Sequence, residues 1–362
     1  MHSIAASRVL TPDGFVDDAV VTIDDDGMIV SIDHATGPVP DRILAPGFVD
    51  LQVNGIDDID CAVADGTDWD RLDSLLLAQG VTTWCPTVVS MPLPRFAAPL
   101  QRIDIAMLRA PHGRPTIAGA HLEGPFLGGA PGAHRRESIV PIDLDWLRAL
   151  PECVAMMTLA PEQPDALVAI RLLRSRGILV SLGHTTATHD QVVAALDAGA
   201  TMATHLFNAM GGLHHRNPGV AASILTHSSA SASIIADGIH VHPRMLQLAA
   251  TLLGPDRMVL VTDAVAWRAG TVGLVGMELR AGAPRLPDGT LAGSIVTMDA
   301  AVRRCVDSGI AIEQALRAAS TVPARLLGLT DRSTIAPGQR ADLVAMTPEL
   351  HVEDVFIVGI AM

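Results

Sequence analysis

A chain of 362 residues with a formal net charge of −14 is long enough for one large core plus a small appended unit, and its acidity argues against nucleic acid or an anionic membrane surface as partner. All 25 basic side chains are arginine, and lysine and tyrosine are absent, which excludes Schiff-base, P-loop and carboxylated-lysine chemistry. The four cysteines (Cys61, Cys85, Cys153 and Cys305) are far apart and form no CxxC pair, so neither a disulfide framework nor a thiolate metal site is expected and a reducing cytoplasm is.

The opening MHSIAASRVLTPDG lacks the basic start and long apolar stretch of a signal peptide. Residues 1–45 read as short strands, and VVTIDDDGMIVSID sets apolar runs on either side of Asp26-Gly27, a hairpin signal. Residues 341–359 read the same way. The two termini are therefore expected to build one small β-sandwich domain, residues 1–45 and 335–362. Between them, over 46–334, the rhythm becomes helix, glycine, strand. Thr67–Gln79 places Trp69, Leu72, Leu75 and Leu76 on one face, with Thr67 as predicted N-cap and Gly80 as the stop. Asp165–Arg176 is a second helix, stopped by Gly177. Thr188 and Gln191 predict a capping box for a helix that reaches Ala198 and ends at Gly199. The longest uncharged run, 217–236, is rich in Ser, Thr and Ala and is broken at Pro218-Gly219, so no membrane span is expected.

Candidate strands fall near 47–53, 81–87, 115–122, 153–159, 178–183, 200–205, 232–237 and 257–262. Short apolar strands alternating with helices predict a parallel sheet, and eight such units predict an α/β fold of the (β/α)8 type. A doubly wound open sheet is the alternative. The barrel is favoured because Glu123, His184, His205 and Asp263 all fall at C-terminal strand ends, which converge on one face only in a closed barrel.

Those four residues lie in HLEGPF, GHTTAT, THLFNAM and VTDA. A strand-end histidine alone is usually structural, and an aspartate after a strand is often a helix cap. Two histidines on successive strands, with a carboxylate on an earlier one, instead suit a divalent metal, and Asp263 remains free for proton transfer. Such a set accepts Zn2+, Fe2+, Co2+ or Mn2+. Gln52 and Asn54, two apart on the first strand, face one side. Many barrel metallohydrolases carry His-x-His at this place, and amides are poor metal ligands, so a single metal is expected. His134 in GAHRRES lies on a long loop. Arg216 in HHRNPG and His240 in ADGIH are candidate anion binders.

With APGFVDLQVNG, TLAPE, RNPG, IIADGIHV, LAGSIVTM and GQRADLVAMTP added, the chain resembles the N-acetylglucosamine-6-phosphate deacetylase family of the amidohydrolase superfamily, nearly end to end. The resemblance implies a barrel with a small β-sandwich and one metal ion per subunit, zinc first, on Glu123, His184 and His205. It implies Asp263 as catalytic base and acid, and His134 as the group polarising the amide carbonyl. Backbone at Asn208 and Ala209, with His240, would hold the sugar phosphate, and Gln52 and Asn54 would line the substrate side. Arg216 would reach the neighbouring site of a homodimer. The implied reaction is deacetylation of N-acetylglucosamine 6-phosphate. The same hydrolysis of N-acetylgalactosamine 6-phosphate, an unphosphorylated N-acetyl sugar or an N-acyl amino acid is the alternative, and a non-catalytic sugar-phosphate-binding protein belongs to a different class. Three loops depart from the family pattern, at 56–63, 135–142 and 265–269.

Overall fold

The structure, a computed structural model, describes residues 1–110 and 113–362. Eight parallel strands form the catalytic-domain sheet: β1 Phe48–Val53, β2 Val81–Val89, β3 Ala120–Glu123, β4 Val154–Leu159, β5 Leu179–Leu182, β6 Met202–Ala203, β7 Ser231–Ile234 and β8 Met258–Leu260. Each pairs with the next in parallel register. A helix follows each strand, from Asp68–Leu77 after β1 to Met298–Asp307 after β8.

The ring closes between β8 and β1 mainly through side chains. Val53 and Ala264 form one parallel bridge. The buried Asp50 accepts the Thr262 hydroxyl (2.5 Å) and, on its other oxygen, the N–H groups of Gln52 (3.2 Å) and Thr262 (3.3 Å). Burial still pushes its carboxyl up to about 7.

Strand periodicity sorts the interior. Along β4, Met156 faces the barrel axis, while Met157 and Leu159 pack outward with the helices. Val49, Leu51, Cys85, Leu179, Met202 and Val259 complete the apolar filling, together with Val322 and Ala324 from Thr321–Leu326. Above it runs a polar layer, in which the His121 ring bonds Thr158, Thr158 bonds Thr204, and Thr204 bonds Ser181. The pairing of β1 with β2 shifts register between Asp50 and Val53. This irregularity lets Gln52 face the mouth directly after the inward Leu51.

Both termini feed a separate seven-stranded sheet that includes His2–Thr11, Gly14–Ile23, Ile29–His34, Ile43–Pro46, Leu343–Met346 and Val352–Ile357. It curls over its own core of Ile4, Val21, Ile29, Leu44, Leu343 and Phe356. The edge strand Ile29–His34 meets the segment leading into Leu343–Met346, where the Ile29 N–H donates to Gln339 O at 2.8 Å. Gly80 ends the first helix with φ +85°, and a Cβ there would lie 2.8 Å from the Phe48 ring and 3.0 Å from Val344, where barrel and terminal sheet meet.

The capping box at Thr188 and Gln191 is present, and Gly199 closes that helix with φ +119°. Thr67 occupies the N-cap position, but its backbone is already helical and its side chain makes no capping bond. No helix among the described residues is long and apolar enough to cross a membrane.

Candidate metal centre

Glu123 ends β3, His184 lies two residues past β5, His205 two past β6, and Asp263 three past β8. All four are buried. His184, His205 and Asp263 have positive φ, at 50°, 33° and 48°. Such backbone costs about 1–3 kcal/mol each for a non-glycine residue and persists only where neighbours hold it. Here they do. His184 O accepts from Gly128 N–H (2.8 Å), His205 N–H donates to Ser233 Oγ (2.8 Å), and Asp263 O accepts from Ser294 N–H (2.9 Å).

The side chains converge. Glu123 Oε1 lies 3.1 Å from His184 Nε2 and 2.9 Å from His205 Nε2, and the two ring nitrogens are 3.1 Å apart. His184 Nδ1 lies 3.1 Å from Pro131 O, an acceptor only, so Nδ1 carries the proton and Nε2 is left with a lone pair. Two donors about 2.0–2.1 Å from a tetrahedral zinc stand about 3.3 Å apart, close to these separations. The donor set therefore fits a divalent cation. It would supply three ligands, one fewer than a closed structural zinc site takes. His134 stands at the margin, with Nε2 3.6 Å from Glu123 Oε2 and its ring 4.3 Å from that of His184, edge to face. Glu123, His134 and His184 also offer ligand atoms within 4.8 Å of one another. Of His134 and His205, His205 makes the shorter contacts to Glu123 and His184.

The electrostatics agree. Burial opposes ionisation of Glu123, but the facing rings of His134, His184 and His205 hold its carboxyl well below the usual range. Burial drives the His184 imidazole down to about 4, aided by the neighbouring His134. Burial also opposes a charge on His205, yet the bond and charge of Glu123 raise it. A proton on His205 thus stands where a cation would balance Glu123.

Asp263 Oδ1 accepts from Asn54 Nδ2 (2.7 Å) and Gln52 Nε2 (3.1 Å), and Gln52 Nε2 also reaches Glu123 Oε1 (2.9 Å). The two amides thus serve the carboxylates. Asn54 reaches the cavity wall and Gln52 does not line it. Burial, then the Glu123 charge, push the Asp263 carboxyl up to about 7.

These groups form one end of a cavity of about 280 Å³. Asn208, Ala209 and His240 line it too. The Asn208 N–H is committed to His205 O at 2.9 Å. His240 Nδ1 is held 2.6 Å from Asp237 Oδ2, and the Asp237 carboxyl lies below its ordinary value because the His240 contact outweighs burial. Arg216 is exposed, contacts His215 Nε2 at 2.9 Å, and does not line the cavity of its own chain.

Other participants carry no sequence-level assignment. Asp237 sits three residues before His240, a spacing that was there to read. Ser90, whose N–H approaches His134 Nδ1 at 3.4 Å, offers no such signal. Residues 271–293 form hairpins whose Val272, Val275 and Leu291 wall the mouth. Two of the divergent loops meet here. Arg268 pairs with Asp57 at 2.9 Å, and Gly273 N–H donates to Asp60 at 2.7 Å.

The sequence pattern of the Amidohydrolase family matches residues 43–361. The chain belongs to this family. This amidohydrolase is 38% identical over 374 residues to N-acetylgalactosamine-6-phosphate deacetylase of Escherichia coli O157:H7, covering 99% of this chain and 98% of the relative. It is 34% identical over 377 residues to N-acetylglucosamine-6-phosphate deacetylase of Vibrio furnissii, covering 99% and 94%. Among solved structures it matches a mutant N-acetyl-D-glucosamine-6-phosphate deacetylase of Mycobacterium smegmatis in complex with N-acetyl-D-glucosamine-6-phosphate, with a TM-score of 0.89, 31% identity and coverage of 99% and 98%. The amidohydrolase is accordingly a hydrolase of amide bonds.

Proposed function

We propose that this amidohydrolase deacetylates N-acetylglucosamine 6-phosphate to glucosamine 6-phosphate and acetate. The convergence of Glu123, His184, His205, His134 and Asp263 on one cavity carries the reading. The Vibrio furnissii relative and the Mycobacterium smegmatis neighbour support the substrate.

Glu123, His184 and His205 hold one divalent ion, zinc first, with Fe2+, Co2+ and Mn2+ compatible. When bound, that ion supplies Lewis acidity, lowering the pKa of a water and polarising the amide carbonyl. Asp263 takes the proton of the attacking water and returns it to the leaving nitrogen, which otherwise departs as a poor amide anion. Gln52 and Asn54 hold the carboxylate in place for both transfers. The Ser90 N–H on His134 Nδ1 leaves Nε2 as the protonated nitrogen, free to donate to the carbonyl oxygen as charge develops. Farther along the cavity, the Ala209 N–H, with His240, binds the sugar phosphate, whereas the Asn208 N–H is already spent on His205 O. Arg216, exposed on its own subunit, reaches the phosphate of the neighbouring subunit in a homodimer.

Acetate release from zinc-loaded protein tests the substrate. N-acetylglucosamine 6-phosphate should exceed its unphosphorylated sugar and its galactosamine epimer in kcat/KM by about tenfold or more, the worth of one good polar contact. The 38% identity to the Escherichia coli enzyme favours the epimer as second reading, and a preference for it would install that substrate instead. No acetate from any of the three would remove both. Arg216→Ala should raise KM for the phosphorylated sugar about 10- to 100-fold with kcat nearly unchanged, as expected for a lost charge-assisted contact. An unchanged KM would discredit the shared site.

A further inference from the structure

We infer that Glu162 is a positioning residue of the metal centre, acting through the two loops that orient His184 and His134. Glu162 lies three residues beyond β4 and does not line the cavity. Its carboxylate accepts three hydrogen bonds. Oε1 takes the N–H groups of Thr186 (2.8 Å) and Gly129 (3.1 Å), and Oε2 takes the Thr185 hydroxyl. Thr185 and Thr186 directly follow His184. Gly129 belongs to the 127–134 loop, which presses on His184 from the other side.

The fit of that loop is close. Gly128 N–H donates to His184 O at 2.8 Å. The Pro131 carbonyl faces His184 Nδ1 at 3.1 Å and so selects the tautomer that leaves Nε2 a lone pair. A Cβ on Gly132 would stand 3.2 Å from His184 Cε1, and the loop then delivers His134 against the same ring. A Cβ on Gly128 would fall 1.9 Å from Glu162 Oε1, so only glycine lets the loop descend onto the carboxylate. One carboxylate therefore ties together the segment carrying His184, the carbonyl that sets its tautomer, and the loop that brings His134. An anion facing three donors is well matched. A neutral amide there would keep its oxygen on the two N–H groups but force Thr185 to accept instead of donate, and the loss of the charge would weaken all three bonds and loosen the bracket.

The inference rests on the metal reading of Glu123, His184 and His205, and zinc binding measured without sugar separates the two. Chelator competition on the unaltered protein should give one tight zinc site, and failure to bind zinc would overturn the metal reading itself. Given that site, Glu162→Gln should weaken zinc about 10- to 100-fold, the usual cost of disturbing an outer partner of a metal ligand. The visible spectrum of the cobalt-loaded variant should shift, and kcat should fall more than KM rises. Glu162→Asp should recover part of each change. Thr185→Val, nearly isosteric, should act in the same direction, and its effect should not add to that of Glu162→Gln. Zinc affinity and cobalt spectrum unchanged in both single variants would overturn the role of Glu162, even if thermal stability fell.

Discussion

Asp263→Asn should lower kcat by about 10²- to 10⁴-fold, the range that one positioned acid–base group contributes. Asparagine keeps the oxygen that accepts from Gln52 and Asn54 and preserves the local shape, so KM should change little and zinc should stay bound. The pH profile provides a second readout. In the metal-free protein the Asp263 carboxyl is raised to about 7, by burial first and the Glu123 charge second. A base must be ionised, so kcat/KM rises with pH as Asp263 loses its proton and falls as pH drops through its pKa. A divalent cation beside it adds positive charge and lowers that pKa, which places the inflection of the loaded enzyme below 7. The inflection should vanish in Asp263→Asn. Retention of more than about a tenth of wild-type kcat would reject the acid–base role.

Removing the metal, or the carboxylate that anchors it, should abolish turnover. A chelator should take activity to background, and added Zn2+ should restore it, with Co2+, Mn2+ or Fe2+ restoring it to differing extents. Glu123→Gln should weaken zinc by at least about 100-fold, because the anion that both imidazoles face is lost. The pH dependence has a definite sign. Ligand imidazoles bind as neutral bases, and His205 holds its proton more tightly than usual in the metal-free protein. Metal uptake must displace that proton, so apparent affinity rises with pH through the neutral range and binding releases protons to the buffer. Chelator competition at two pH values checks this, and equal affinity at both would contradict the ligand assignment of His205.

Much of this architecture is legible in the sequence because it is local or periodic. The capping box at Thr188 needs only four residues. The barrel follows from eight repeats of one motif, and once it closes, four strand-end side chains must meet. What escapes is backbone and loop chemistry. The Pro131 carbonyl that sets the His184 tautomer has no residue-type signature, and neither does the Ser90 N–H beside His134. Thr67 has the right residue type and position, yet its φ and ψ keep its hydroxyl from capping. The amides of Gln52 and Asn54 are readable as an absent second metal position, but their grip on Asp263 depends on the β1 register shift. The hairpins over 271–293 are short, and their place at the mouth is decided by tertiary contacts such as Asp60 with Gly273.

The seam between β8 and β1 divides the reaction machinery into two arcs. Glu123, His184 and His205 stand on strands joined by continuous ladders. Asp263 and its amide partners face each other across a join made largely by Asp50 and Thr262. Backbone bonds there are few, chiefly from the Asn54 and Gly55 N–H groups to Ala264 O at 2.8 and 3.1 Å, so a local opening of the ring at this join would break mostly side-chain contacts. Parting there draws the base away from Gln52 and Asn54 and leaves the three ligands together. Such an opening would withdraw the proposed proton carrier while Glu123, His184 and His205 keep their mutual contacts.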